Sequence, residues 1–268
     1  MGLENARRST WAGPVVLALI CALILAIASV LVARAAPLAP YSWAEPNRLV
    51  AHAMGGINGQ DYTNSLQAWE SNYQRGYRVF EVDLRVLSDA TLVCSHSQPN
   101  ELTVGEYEAT RTVGGYTPLT VTNLAQLMAR YPDAWVMTDV KPGGLPEHEK
   151  ILRTLQSAVS SDPTSRSRII VQTYSEGDCM VARKLGLENI VYTLYRQKPE
   201  DFPRGIDFAA NNNIRFVAMP KEAVTRDLVR QAELRHLWVG VHTVNTEAER
   251  LEYERLGVTH LYSDFLRP

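Results

Sequence analysis

His52, Glu81, Asp83, Arg85 and His96 lie along two short stretches of the chain. Glu81, Asp83 and Arg85 alternate with Phe80, Val82 and Leu84. In a strand, alternate side chains face opposite sides. The apolar three can therefore pack into a core while two carboxylates and a guanidinium share the other face. Such a face is costly to bury unless a cation or an anionic ligand is bound there. Asp139 and Lys141 alternate in the same way with Val136, Thr138 and Val140. Glu81, Asp83 and Asp139 thus form an oxygen donor set on two strands, suited to a hard divalent cation, Mg²⁺ or Ca²⁺. Two histidines converging on that set shift the balance from a structural to a functional reading. The competing reading is an internal salt-bridge network of the three carboxylates with Arg85 and Lys141. The desolvation cost of so large a buried ionic cluster weighs against it, and such clusters concentrate at functional sites.

The elements that must position these groups follow a strand-then-helix rhythm from Asn47 onward. Strand-like runs are Leu49–His52, Arg78–Leu84, Ala134–Val140, Arg168–Thr173, Asn189–Leu194, Ile214–Met219, Leu237–Thr243 and Val258–Ser263. Helix-like segments separate most of them: Ser65–Arg75, Leu124–Arg130, Pro146–Ser160, Asp178–Leu185, Lys221–Glu233 and Thr246–Leu256. Gly76, Gly186 and Gly257 sit where three of these helices should stop. The pattern predicts an α/β fold, a (β/α)₈ TIM barrel. An open doubly wound sheet is less favoured, because no Gly-rich phosphate loop follows the first strand. In a barrel the C-terminal strand ends carry the chemistry, and His52 ends the first strand. Leu92–His96 follows Arg85 too closely for a crossover helix and must pair antiparallel with the strand before it. A turn at Ser88-Asp89 would set Cys94 opposite Asp83 and His96 opposite Glu81. The long segment from Pro99 to Thr120 follows His96 directly and is placed to fold over the site. Gln172, Tyr174, Trp238 and His242 are further lumen or rim candidates, and each is equally compatible with ordinary packing.

The 268 residues are 46% hydrophobic, enough to bury a sizeable core. A net charge of −2 gives no reason to expect nucleic acid as a partner. The three cysteines are too few for a disulfide scaffold; Cys94 and Cys179 read either as a pair at the barrel mouth or as separate thiols. Val15 to Ala33 is apolar except for Ser29. At about nineteen residues it is long enough to span a bilayer. With Arg7 and Arg8 before it, the expectation is a single-pass membrane helix with the rest of the chain extracytoplasmic. The alternative is a cleavable signal peptide and a secreted domain, with Ala33-Arg34-Ala35 as the processing site; the run exceeds the usual h-region of about 7–15 residues. The expected organisation is therefore a tip and anchor over residues 1–36, a linker over 37–46 and a catalytic barrel over 47–268.

Taken in order, His52-Ala53-Met54-Gly55-Gly56, Thr63-Asn64-Ser65, Glu81-Val82-Asp83, His96 and Asp139-Val140-Lys141 resemble the motifs of the glycerophosphodiester phosphodiesterases. Thr243-Val244-Asn245 and Gly257 to Asp264 look like the family's last two strands. The resemblance implies a (β/α)₈ barrel and a metal-dependent phosphodiesterase acting on a small-molecule or lipid phosphodiester. It implies that Glu81, Asp83 and Asp139 hold the divalent cation and that His52 and His96 are the general base and general acid. Lys141, Arg85 and Asn64 would meet the phosphate, although Asn64 is equally readable as the cap of the helix starting at Ser65. Three departures stand out. Ala53 replaces an arginine that binds phosphate in the family, Asp139 replaces a glutamate, and Thr63 precedes Asn64 where the family has glutamate. The shorter third carboxylate and the altered first motif are also similar to sphingomyelinase D-like lyases on the same barrel. A non-catalytic barrel that binds phospholipid headgroups is a further alternative. A sugar-processing barrel is disfavoured, because a paired-carboxylate mechanism needs neither a lumen lysine nor two histidines.

Overall fold

A computed structural model of the chain describes residues 16–24, 39–45, 48–97, 99–140, 144–160 and 162–268. The chain divides into two units, Met1–Pro37 and Leu38–Pro268. In the first, residues 16–24 form a helix, α1, whose large apolar side chains such as Leu17 and Leu19 are exposed. Among the described residues no helix is long and apolar enough to cross a membrane. Most of the Val15–Ala33 run lies outside the described residues, as does Lys141.

The second unit is a closed barrel. Eight strands pair in parallel in a circle: β1 (Leu49–Ala51), β2 (Val79–Val86), β5 (Trp135–Val140), β6 (Ile169–Thr173), β7 (Ile190–Thr193), β8 (Phe216–Pro220), β9 (Trp238–His242) and β10 (His260–Ser263), with β10 returning to β1. That closure excludes the open sheet. Two further strands, β3 (Leu92–Cys94) and β4 (Leu119–Thr120), extend antiparallel from β2. They find a free edge because β1 is only three residues long. Val79 and Phe80 pair with β1, and Leu84 to Val86 pair with β3.

The helices are α2 (Leu66–Gln74), α3 (Val104–Ala109), α4 (Val121–Arg130), α5 (Leu145–Ala158), α6 (Pro163–Ser167), α7 (Glu176–Lys184), α8 (Phe202–Asn211), α9 (Arg226–Glu233) and α10 (Glu247–Leu256). The sequence reading lacks α8. Its buried Phe202, Ile206 and Ala209 recur at helical spacing, but Pro203, Gly205 and the following Asn211-Asn212-Asn213 obscure the signal. Pro203 is tolerated because it lies in the first turn. The segment from Pro99 to Thr120 does not cover the site. It contains α3 and packs on the hairpin, with Tyr107 in a cluster with Leu87 and Val93 and its hydroxyl donating to the Cys94 carbonyl at 2.8 Å.

Period-two alternation sorts the strand residues into two cores. Phe80, Val82, Leu84, Val136 and Val140 face the helices. Val50, Val79, Trp135, Met137, Ile170, Val191, Phe216, Ala218 and Tyr262 fill the barrel interior. Gly240 keeps that interior closed: a Cβ there would lie 2.6 Å from the Phe216 ring.

Part of the expected linker belongs to this interior. Tyr41, Trp43 and Ala44 are buried and close the N-terminal end of the barrel. The Tyr41 N–H donates to Asn189 Oδ1 at 2.6 Å and its hydroxyl to the Ile190 carbonyl at 3.0 Å. Trp43 lies 5.3 Å from the Phe216 ring and 5.9 Å from His260. His260 Nε2 contacts the Ala44 carbonyl at 2.9 Å, which fixes the nitrogen as the donor. Trp238, a candidate for the rim, packs against this lower cluster instead.

Two expectations follow for stability. Trp43→Ala should cost about 3–5 kcal/mol in a denaturant titration, the usual range for emptying a buried aromatic site. Burial lowers the His260 pKa from 6.5 to about 4. Between those values the unfolded chain binds a proton that the folded chain refuses. Stability present above pH 6.5 should therefore fall as the pH drops to 4, by about 3 kcal/mol from this group. The slope should flatten in His260→Gln; an unchanged slope would show that His260 is not its source.

Candidate active site

The strand register assembles the carboxylates. Glu81 pairs with Met137 and Asp83 with Asp139 across β2 and β5. Continuing the interior face upward from Val79 brings Glu81 and then Asp83 into the lumen. Trp135 and Met137 lead in the same way to Asp139. One oxygen each from Glu81, Asp83 and Asp139 lies within 4.8 Å of the others. Glu81 and Asp83 are buried. Each carboxylate is oriented by a hydrogen bond. The Ala53 N–H donates to Glu81 Oε2 at 2.6 Å, Asn64 Nδ2 to Asp83 Oδ2 at 2.7 Å, and the Tyr174 hydroxyl to Asp139 Oδ1 at 2.5 Å. Three fixed, oxygen-only donors at this spacing fit a hard divalent cation.

The turn after β1 makes the first two contacts possible. Ala53 and Met54 adopt left-handed φ values of 47° and 69°, which carry a cost for residues with a Cβ. This turns the Ala53 N–H onto Glu81. Asn64, also at positive φ, sends its amide nitrogen to the Asp83 carboxylate and accepts the Asp83 N–H at 3.1 Å. The cap of α2 is Ser65, which accepts from the Ala68 N–H. Asn64 is therefore not the cap; its amide holds Asp83 at both backbone and side chain.

His52 Nδ1 lies 2.9 Å from Asp264 Oδ1. Asn245 fixes that carboxylate, donating to Oδ2 and accepting the Asp264 N–H, both at 2.8 Å. Burial alone would lower the His52 pKa. The Asp264 hydrogen bond and the charges of Glu81, Asp264 and Asp83 outweigh it and raise the value from 6.5 to about 9. The imidazole therefore holds a proton at neutral pH. Asp264 and Asn245 are the partners that sequence reading passed over. Their segments were visible as late strand ends, but the pairing with His52 requires barrel closure.

His96 enters differently from the expectation. β2 and β3 pair Leu84 with Cys94 and Arg85 with Val93, one residue from the register that Ser88-Asp89 as the turn implies. The turn includes Ala90 at φ 67°, and Leu87 N–H bonds the Thr91 carbonyl. The hairpin loop is thus three residues with the last left-handed, a common alternative to the two-residue form. His96 lies beyond the strand, exposed, yet lines the same cavity as His52. Arg85 Nη2 donates to the His96 carbonyl at 3.3 Å. The buried Arg85 Nε has no hydrogen-bond partner. Burial lowers the Arg85 pKa, against the opposing charges of Asp83, Asp139 and Glu147.

These groups surround a cavity of about 190 Å³ at the C-terminal end of the barrel, lined by His52, His96, Glu81 and Asp139. Gln172, Tyr174 and His242 also line it, as their strand positions suggested. Burial, followed by the charge on His52, lowers the His242 pKa to about 4, so this imidazole is neutral. Tyr62 is an unanticipated member. Its ring lies 4.9 Å from His52 and 4.3 Å from His96. Cys94 and Cys179 are both buried free thiols.

The profile of the Glycerophosphoryl diester phosphodiesterase family matches residues 56–267. The match begins just after His52 and takes in the remaining candidate residues. No curated protein matches the chain. Similar solved structures include a glycerophosphodiester phosphodiesterase from Parabacteroides distasonis (14% identity, TM-score 0.67, covering 81% of this chain and 92% of that one). A phosphodiesterase from Oleispira antarctica, solved with the product sn-glycerol-3-phosphate, is 14% identical with a TM-score of 0.69 and covers 81% of this chain and 93% of its own. The glycerophosphodiester phosphodiesterase of Thermotoga maritima is 13% identical with a TM-score of 0.60, covering 81% and 94%. At these identities the structures speak to the barrel fold. The profile match, spanning most of the chain, carries the assignment: this protein belongs to the glycerophosphoryl diester phosphodiesterase family and is a phosphoric diester hydrolase.

Proposed function

We propose that the barrel cleaves a small glycerophosphodiester at the cavity above Glu81, Asp83 and Asp139, with His52 and His96 as its acid–base pair. The observation that carries this reading is the convergence of both histidines, Glu81 and Asp139 on one cavity, with Asp83 clustered against the two carboxylates. The glycerol-3-phosphate bound in the Oleispira antarctica structure supports a small-molecule substrate.

A divalent cation held by the three carboxylates would neutralise charge on the phosphoryl oxygens. The protein's own groups do the rest. One histidine takes the proton of the attacking hydroxyl and the other returns a proton to the leaving alkoxide. Asp264 and Asn245 hold the His52 ring at a fixed angle, with Nδ1 as the donor to Asp264 and Nε2 toward the cavity. Asn64 holds Asp83, and the Ala53 N–H holds Glu81. Arg85, whose Nε lacks a partner beside the carboxylates, supplies positive charge where Ala53 has none to give; Lys141, which follows β5, is assigned the same task.

His52→Ala and His96→Ala should each lower kcat on glycerophosphodiesters by about 10²–10⁴-fold, with the barrel still folded at the assay temperature. Wild-type rates in both would end the acid–base assignment. Glu81→Gln, Asp83→Asn and Asp139→Asn should lose at least as much and bind Mg²⁺ or Ca²⁺ more weakly in calorimetry. Chelation should abolish turnover and added cation restore it. Asn64→Ala should weaken cation binding as well as turnover. A variant that lost turnover yet bound the cation as tightly as the parent would place Asn64 on the phosphate instead.

In the same reading the apolar run Val15–Ala33 anchors the domain outside the cytoplasmic membrane; its length and the preceding Arg7-Arg8 support this. Protease added to intact cells should release or digest the barrel. Protection until lysis would reverse the orientation.

A further inference from the structure

The left-handed turn that puts the Ala53 N–H on Glu81 is gripped from behind by α2. Asn72, near the C-terminal end of that helix, is 1% exposed. Its Nδ2 donates to the Met54 carbonyl at 3.0 Å and to the Gly56 carbonyl at 3.2 Å. It also donates to the Ala68 carbonyl of its own helix at 3.0 Å. Arg75 Nη1 donates to Asn72 Oδ1 at 3.3 Å and to the Gly56 carbonyl at 3.5 Å. Carbonyl oxygens only accept, so the atom facing three of them is the amide nitrogen, and the guanidinium holds the other end.

Core packing does not account for this residue. Asparagine is among the weaker helix formers, and its amide is costly to bury unless it is bonded. An apolar side chain would fill the same space. It would not satisfy the carbonyls of Met54 and Gly56, which lie in a buried turn and need donors. The backbone is shaped around the amide in return: a Cβ on Gly55 would lie 2.5 Å from Asn72 Nδ2.

The effect reaches the carboxylates through one peptide. Upstream, Ala51 is fixed by its pairing with Ser263 and Phe80. Downstream, Asn72 fixes the chain at Met54 and Gly56. Between these points Ala53 and Met54 stand at φ 47° and 69°, a form disfavoured for residues with a Cβ. Backbone bonds from Gly55 to His52 and from Gly56 to Asp264, both 2.7 Å, close the turn. Its side-chain support comes from α2. If the turn relaxed to ordinary φ values, the Ala53 N–H would leave Glu81 Oε2, which it meets at 2.6 Å.

We propose that Asn72 is a positioning residue for the cation site: from α2 it holds the turn after β1 in its left-handed form and so keeps the Ala53 N–H on Glu81. This rests on Glu81 serving the cation in the phosphodiesterase reading. The test titrates the full chain with Mg²⁺ and with Ca²⁺ in a calorimeter and follows hydrolysis of bis(p-nitrophenyl) phosphate with the tighter ion. Asn72→Leu keeps the volume and removes the donor; Asn72→Asp keeps the shape and puts an oxygen where the donor was. Both should bind the cation about 10–100-fold more weakly, the usual range for a group that orients a metal ligand. Adding Ala53→Gly should recover most of that affinity in either variant, because glycine takes positive φ without steric cost. A role in packing alone predicts the reverse, with Asn72→Leu binding like the parent. Parental affinity in both variants overturns the proposal, as does a loss that Ala53→Gly leaves untouched or a parent that binds neither ion. If the affinities behave as expected while the parent turns over no phosphodiester, the positioning role stands and the phosphodiesterase reading falls.

Discussion

The six-residue pairing of β2 with β5 is the constraint on which the site depends. It sets Asp83 directly beside Asp139, with Glu81 one lumen position below. Like charges so placed repel, and burial of Glu81 and Asp83 weakens the screening that water would give. The barrel keeps them by giving each carboxylate an orienting donor and by making the same strands carry the core. Val79, Trp135 and Met137 fill the interior below, and Phe80, Val82 and Val136 anchor the outer face. A one-residue slip would send every one of these side chains to the wrong side. The apolar packing on both faces thus enforces a charge arrangement that the charges alone would disperse.

This explains what was legible in the sequence. Period-two alternation around Glu81, Asp83 and Asp139 is a local property, so the lumen face and the candidate cation site could be read directly. The eight strands and most helices follow from the same local patterns. The hairpin register could not be read this way, because it depends on whether the turn holds two residues or three. Ala90 entering the left-handed region decides it, and nothing in Ser88-Asp89-Ala90-Thr91 announces that choice. His96 therefore lies past the strand end and is delivered by a loop, with Arg85 bonded to its carbonyl. The burial of part of the expected linker was hidden for a different reason. Pro37 and Pro40 mark a linker locally, but Trp43 is buried by Phe216 and His260 from strands far along the chain.

The substitution of Ala53 for the family's arginine is less disruptive than its position suggests. The residue is wholly buried, and its part in the site is played by its backbone N–H on Glu81. That donor depends on the left-handed turn and not on the side chain. The alanine therefore leaves the hydrogen bond to the carboxylate in place. Arg85, two residues beyond Asp83 on the same face of β2, keeps a buried Nε without a hydrogen-bond partner, a cost the fold carries beside the carboxylates.

The pairing of His52 with Asp264 follows from closure itself. At the seam of the barrel Ala51 pairs with Ser263, and His52 and Asp264 are the next residues on each strand. Once β10 docks on β1, the two side chains are brought together at 2.9 Å without any further instruction. Asn245, just beyond β9, then locks Asp264 by its backbone and its carboxylate. The last two strands of the chain thereby hold a histidine from the first. An open sheet with the same strands would keep the three carboxylates on β2 and β5 but leave His52 unoriented and its proton unsupported. The carboxylate cluster and the oriented His52 therefore have different structural origins: the first is written into one strand pair, and the second exists only when the circle is complete.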